Sequence, residues 1–134
     1  MRFWITKNPR VALMLMPWFV EVDQSREDIY LELRHRLTYN PDETFVCLAV
    51  ESDLIKGMVI AYCRHEDVFI WQARGSKDLP RSIVDYAFAG IGHWAKSKGF
   101  SRITGLPNRA KRIWCRRWGF QESKTNKDEV YLEI

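Results

Sequence analysis

The segment Arg74-Gly75-Ser76-Lys77-Asp78-Leu79-Pro80-Arg81-Ser82 concentrates chemistry in this chain, because Arg74, Lys77 and Arg81 fall where strand-forming residues give way to a helical pattern. Backbone N–H groups at a helix start are unpaired and lie at the positive end of the helix dipole, so such a junction suits an anion, a phosphate above all. Charge-assisted bonds from the three side chains would strengthen that contact. Pro80 takes one amide donor away. An ordinary polar strand-to-helix loop would have the same composition.

A second concentration follows Asn108. Arg109, Lys111, Arg112, Arg116 and Arg117 surround Cys115. Cationic neighbours favour a thiolate nucleophile, and a thiol at its reference pKa of about 8.5 can also donate a proton. The alternative is a half-buried helix cysteine that packs as a small hydrophobe. On a helix, Arg109, Arg112 and Arg116 share one face, while Ala110, Trp114 and Trp118 form an apolar stripe. The basic face reads as a solvated surface or as a contact for a nucleic-acid backbone, although no recognition motif accompanies it. Glu51, His65, Glu66 and Asp67 lie near strand ends and could accept a proton; each also fits a solvated turn. None is assigned as the general base.

The elements that must position these residues can be read from period and punctuation. Met1 to Ile5 predicts a short strand, and Asn8-Pro9 a helix start, since proline at the first helical position gives up no needed donor. The apolar run Val11 to Met16 fits helix or strand. Ser25 to Asp28 has the form of a capping box before Ile29, Leu33 and Leu37, which predicts a helix to about Thr38 that Asn40-Pro41-Asp42 ends. Strands are predicted over 44–51, 57–64 and 67–73, and their short connections imply antiparallel hairpins. Both faces of these strands are apolar, so they need cover on both sides. A helix over 80–98 stops at Gly99. A strand at 101–106, a helix at 109–118 and a last strand at 129–134 complete the order.

The 134 residues, 46% hydrophobic and including six Trp, seven Phe and five Tyr, favour one domain over 1–134 with a real core. Trp71, Trp94, Trp114 and Trp118 have core spacing, whereas Trp4 and Trp18 could line a surface for a substrate or partner. Cys47, Cys63 and Cys115 lack C-x-x-C spacing, which suits a reducing, cytoplasmic setting, and no metal-ligand set is assigned. The run Val11 to Val20 is about half a bilayer span and contains Pro17, so no membrane segment is expected. The excess of 21 basic over 17 acidic residues allows an anionic ligand without naming one.

The order of helix, Gly99-Phe100, strand, Asn108, and a helix closing on Trp118-Gly119-Phe120 resembles the second half of the GNAT fold, the Gcn5-related N-acetyltransferases. The resemblance covers residues 44 to 134. It implies an α/β fold with a mixed, mostly antiparallel sheet and helices on both faces. It further implies that the strands at 67–73 and 101–106 splay to admit acetyl-CoA, with Ala73, Arg74, Lys77, Pro80, Arg81, Ser82, Asn108 and Arg112 as cofactor contacts. Cys115 stands where many members have a tyrosine that protonates the CoA sulfur. The phosphate loop departs from the family's Q/R-x-x-G-x-G/A, with Lys77, Pro80 and Ser82 at the three motif positions. The implied activity is transfer of an acetyl group from acetyl-CoA to an unidentified amine. The rival is a binding or structural protein of the same fold without the chemistry, similar to small phage-encoded GNAT-like proteins.

Overall fold

A computed structural model describes residues 2–134. The chain runs β1 (Trp4–Thr6), α1 (Pro9–Val22), α2 (Glu27–Tyr39), β2 (Thr44–Glu51), β3 (Leu54–Cys63), β4 (Val68–Gly75), α3 (Arg81–Ser97), β5 (Arg102–Gly105), α4 (Lys111–Trp118), β6 (Gln121–Glu122) and β7 (Val130–Glu133). The strands form one sheet in the order β1-β2-β3-β4-β5-β7-β6. Among the described residues only β4 and β5 pair in parallel; α3 is the crossover that a parallel pair requires. The border strands β1 and β6 have three and two residues.

Helices cover both faces, as the two-sided apolar strands demand. On one face α1 and α2 bury Ala12, Met16, Phe19, Leu33 and Leu37 against Val46, Leu48, Met58 and Ile60. On the other, Ala87, Ile91 and Ala95 of α3 and Trp114 of α4 pack on Cys47, Val59, Ala61, Ile70 and Ile103. Burying this apolar surface is the main stabilising term in such a layered domain.

Several boundaries depart from the sequence expectations for local reasons. The first strand is Trp4–Thr6, later than the expected 1–5, and Met1 lies outside the described residues. The ambiguous apolar run is helix: Asn8 Oδ1 accepts the Arg10 N–H at 2.9 Å, and buried Ala12, Leu15, Met16 and Phe19 recur at helical spacing. That helix continues through exposed Pro17. The capping box at Ser25 does not form. Instead Asp23 Oδ1 accepts both the Ser25 N–H at 3.0 Å and its hydroxyl at 2.7 Å, which sets a one-turn 3-10 helix before α2 starts at Glu27. β3 begins at Leu54, because Ser52 and Asp53 both take positive φ (49° and 64°) and make a two-residue hairpin that pairs Glu51 with Leu54.

The closed end of the β4–β5 pair is fastened by a polar clasp. Arg64 donates to both oxygens of Asp67 at 2.7 Å and to Thr104 Oγ1 at 2.7 Å, while the Thr104 hydroxyl lies 3.0 Å from Asp67 Oδ2. Glu129 approaches the same guanidinium at 3.7 Å. The β3–β4 turn is thereby tied to β5 and to the residue preceding β7. Asp67 is only 8% exposed. Burial alone would raise its pKa, but the Arg64 and Thr104 bonds together with the Arg64 charge outweigh it and hold the carboxyl below its ordinary range.

Candidate active site

The site is a split in the sheet. β4 and β5 pair only at Val68 with Ile103, Phe69 with Thr104, and Ile70 with Gly105. Beyond Ile70, β4 continues to Gly75 along β3 alone, so its β5-facing edge from Trp71 onward has no strand partner among the described residues. A bulge marks the parting: Ala61 pairs with Ile70 and Ile60 with Gln72, leaving Trp71 as the extra residue. Bulges bend the bulged strand and interrupt its ladder, which suits the point where two strands diverge.

Beside this parting, on the α3 side of the sheet, the cleft holds a cavity of about 130 Å³, lined among others by Ala73, Arg74, Leu79, Phe88, Trp114 and Trp118. Trp114 is 5% exposed and lies against β5: a Cβ added at Gly105 would stand 2.6 Å from its Cζ3 atom. Glycine at 105 is what admits the indole. Phe88 stacks on Trp118 with centroids 4.0 Å apart and meets Trp114 edge-on at 5.2 Å. The bend from β4 into α3 is close-packed as well, since Leu79 Cδ2 would be 2.7 Å from a Cβ at Gly57.

At the mouth, α3 opens with Pro80 as its N-terminal cap residue, no side-chain cap and no acidic residue in its first turn. Ile83 N–H returns to the Pro80 carbonyl at 3.1 Å, which leaves the N–H groups of Arg81 and Ser82 without an acceptor among the described residues. Pro80 itself offers no donor to this set. The structure places it one residue before the first free donor, so the helix start keeps its capacity for an anion. The loop is set by Ser76 N–H on the Lys56 carbonyl at 2.8 Å and by the Ser76 hydroxyl on Asp78 at 2.5 Å, with Arg2 bound to Asp78 as well. These bonds engage the one carboxylate in the loop; Ser76 first, then the nearby cations, hold it below its ordinary range.

α4 is latched to α3 at the same end. Asp85 Oδ1 accepts from Trp118 Nε1 at 2.9 Å and from Arg117 Nε at 3.0 Å, and the Trp118 bond followed by that of Arg117 depresses the Asp85 carboxyl pKa. Arg117 also donates to the Arg81 carbonyl at 3.3 Å.

The expected site residues divide into two groups. Ala73 and Arg74 line the cleft, and Lys77, Pro80, Arg81 and Ser82 form the loop and first helical turn beside it. Asn108 follows β5 in the left-handed conformation (φ 52°) at the start of a one-turn 3-10 helix. Arg112 and Cys115 line a separate shallow basin with Arg109, Lys111, Arg116 and Glu122. The structure therefore does not bring Cys115 among the side chains that line the cleft; Trp114 and Trp118 hold that position on α4. Cys115→Ser is accordingly expected to leave any acyl-transfer rate, should the chain have one, within about twofold of the parent in a thiol-release assay; a hundredfold loss, the scale of a lost general acid, would return the thiol to the chemistry. Of the candidate bases, Asp67 is engaged in the clasp, and Glu51 pairs with Arg2 and Lys56.

Nothing in the sequence marks Phe88 and Gly105 as cleft residues, and the spacing of Trp114 and Trp118 predicts core. Their sequence signal is an aromatic stripe, which core packing produces equally well.

No protein-family model matches the sequence, and no curated protein matches it. Solved structures do match over nearly the whole chain. A GNAT-family acetyltransferase from Staphylococcus aureus Mu50 superposes with a TM-score of 0.72 at 14% identity, covering 98% of both chains. A GNAT-family acetyltransferase from Streptococcus pneumoniae gives 0.63 at 15% identity over 98% of this chain and 99% of that one. The PaiA N-acetyltransferase from Thermoplasma acidophilum, solved with coenzyme A, gives 0.62 at 12% identity over 100% of each chain. With the mixed seven-stranded sheet, its parted central strands and the helix start at their mouth, these likenesses lead to one statement: the chain has the fold of the Gcn5-related N-acetyltransferases.

Proposed function

We propose that the chain is an acetyl-CoA-dependent N-acetyltransferase acting on an amine. The observation that carries this reading is the β4 edge left unpaired past Ile70, ending beside a helix start with two free N–H groups. An unpaired strand edge offers hydrogen bonds to a slender chain of amides, and a helix start offers them to phosphate. The donor set fits the cofactor: the β4 edge at Trp71 to Ala73 for the amides, and the N–H groups of Arg81 and Ser82 with the Lys77 and Arg81 side chains for the phosphates, whereas the expected contact from Arg74 is turned away, its guanidinium lying toward Phe19 on the other face of the sheet. The coenzyme bound in the Thermoplasma structure of the same fold adds support.

Bound acetyl-CoA would supply an activated acyl carbonyl to a neutral amine: the C–N bond would form as the C–S bond breaks, and the proton lost from nitrogen would end, directly or through water, on the departing CoA sulfur. The residues of this chain bind, orient and exclude water. Trp114, Trp118 and Phe88 keep the parting dry, which strengthens any hydrogen bond made there.

A second reading keeps the fold without the chemistry, and the aromatic filling of the cleft favours it. Titration of the protein with acetyl-CoA, with CoA as control, separates the two. Micromolar binding of acetyl-CoA is the expected result. No heat and no melting shift at millimolar ligand would end the acetyltransferase reading and leave a binding or structural protein.

A further inference from the structure

A second cavity, of about 380 Å³, lies at the same end of β3 and β4 but on the α1–α2 side of the sheet. Phe19, Val22 and Met58 make its apolar floor; Arg26, Lys56 and Arg74 stand around it. It shares Gly57, Met58, Arg74 and Gly75 with the cleft, so the two spaces adjoin.

The charges around this groove are incompletely satisfied. The Arg26 guanidinium lies 4.3 Å from the Phe19 ring centroid and that of Arg74 lies 5.9 Å from it, so two cations stand beside one aromatic ring. Arg26 Nε is buried and has no hydrogen-bond partner among the described residues. Its nearest carboxylate oxygen, Asp23 Oδ2, is 3.9 Å away, while Asp23 Oδ1 already serves the Ser25 N–H and hydroxyl. Lys56 is 3.9 Å from Glu51, whose other oxygen is taken by Arg2. Arg74 has no ion pair among the described residues. Arg26 Nη1 donates to the Phe19 carbonyl at 3.4 Å, which still leaves the guanidinium short of acceptors; a buried donor without one is costly, and a ligand oxygen beside it would reduce that cost.

We propose that this groove binds an amphipathic carboxylate, with the anion held by Arg26 and Arg74 near Lys56 and its apolar body on Phe19, Val22 and Met58. Guanidinium pairs match carboxylate geometry, and the exposed Val22 (63%) gives the apolar part a place to leave water. If the molecule also carries an amine, the adjoining cleft makes it the acyl acceptor; that role alone rests on the acetyltransferase reading.

The test is an NMR titration of the full chain, without acetyl-CoA, using N-acetyl-L-leucine and its neutral counterpart N-acetyl-L-leucinamide. The acid is expected to give saturable shifts at the Met58 methyl and the Arg26 and Arg74 Nε–H signals, and the amide to bind at least about tenfold more weakly. Arg74→Gln, at an exposed side chain, should weaken the acid by about tenfold, and Lys96→Gln on α3 should not. Equal binding of acid and amide, no binding of either, or shifts confined to the basic residues of α4 would overturn the proposal. Acid binding in a protein that takes no acetyl-CoA would uphold the groove and remove only its role in transfer.

Discussion

Trp114→Ala is expected to lower stability by about 3–5 kcal/mol, the usual cost of emptying a buried tryptophan site. The indole is almost fully enclosed, it touches the rings of Phe88 and Phe120 at centroid distances of 5.2 Å each, and glycine at 105 leaves a hollow shaped to it. Thermal unfolding should therefore shift down by roughly 10–20 °C for a domain of this size. The hole is apolar, so free indole should restore part of the loss by binding the native state. A loss below about 1 kcal/mol would mean that the ring is not structural filling. Trp114→Phe, which keeps an aromatic ring but empties part of the space, separates the two functional readings: tighter acetyl-CoA binding would show that the indole obstructs the cleft, and unchanged binding that it forms the cleft wall.

Asp67→Asn should cost about 2 kcal/mol at neutral pH. Opening a buried ion pair typically costs more, but the Arg64 side chain is 38% exposed and water can recover part of the lost interaction. The pH dependence has a definite sign. The folded-state pKa of Asp67 is depressed, so the stability it contributes is full above the unfolded value of about 3.9 and is lost as pH falls through the folded value. Urea unfolding of parent and variant should differ most above about pH 5 and converge in acid. A difference that stayed constant down to pH 2 would show that the clasp acts through shape and not charge.

Much of the fold was legible because punctuation in this chain is strong. Asn40-Pro41, Gly99 and Gly119 end helices where expected, and β2 spans the residues assigned to it. The N-terminal third was less so. Val11 to Met16 has no period that separates helix from strand, and Ser25 offers a capping box that loses to Asp23, two residues earlier. β6 escaped notice because two polar residues, Gln121 and Glu122, carry no pattern; only pairing with Tyr131 and Val130 makes them a strand. The candidate site was half legible. The cations of the loop and the helix start announced themselves by type, whereas the cleft wall is made of aromatics whose sequence signal is indistinguishable from core. Cys115 illustrates the limit of spacing: it shares a helix with Trp114 but turns toward a different surface. The groove around Arg26 was invisible because it joins residues 19, 26, 56 and 74 through tertiary packing alone.

The sheet also limits what can attach to it. Its border strands, three and two residues long, offer too short a ladder to recruit a neighbouring molecule. The longer free ladder, on β4, lies between two strands of the same sheet, β3 paired along one side and β5 held to the other at its near end. The architecture thus works as a sieve against self-assembly: a thin flexible guest can enter the sheet, and another folded protein's edge cannot follow it.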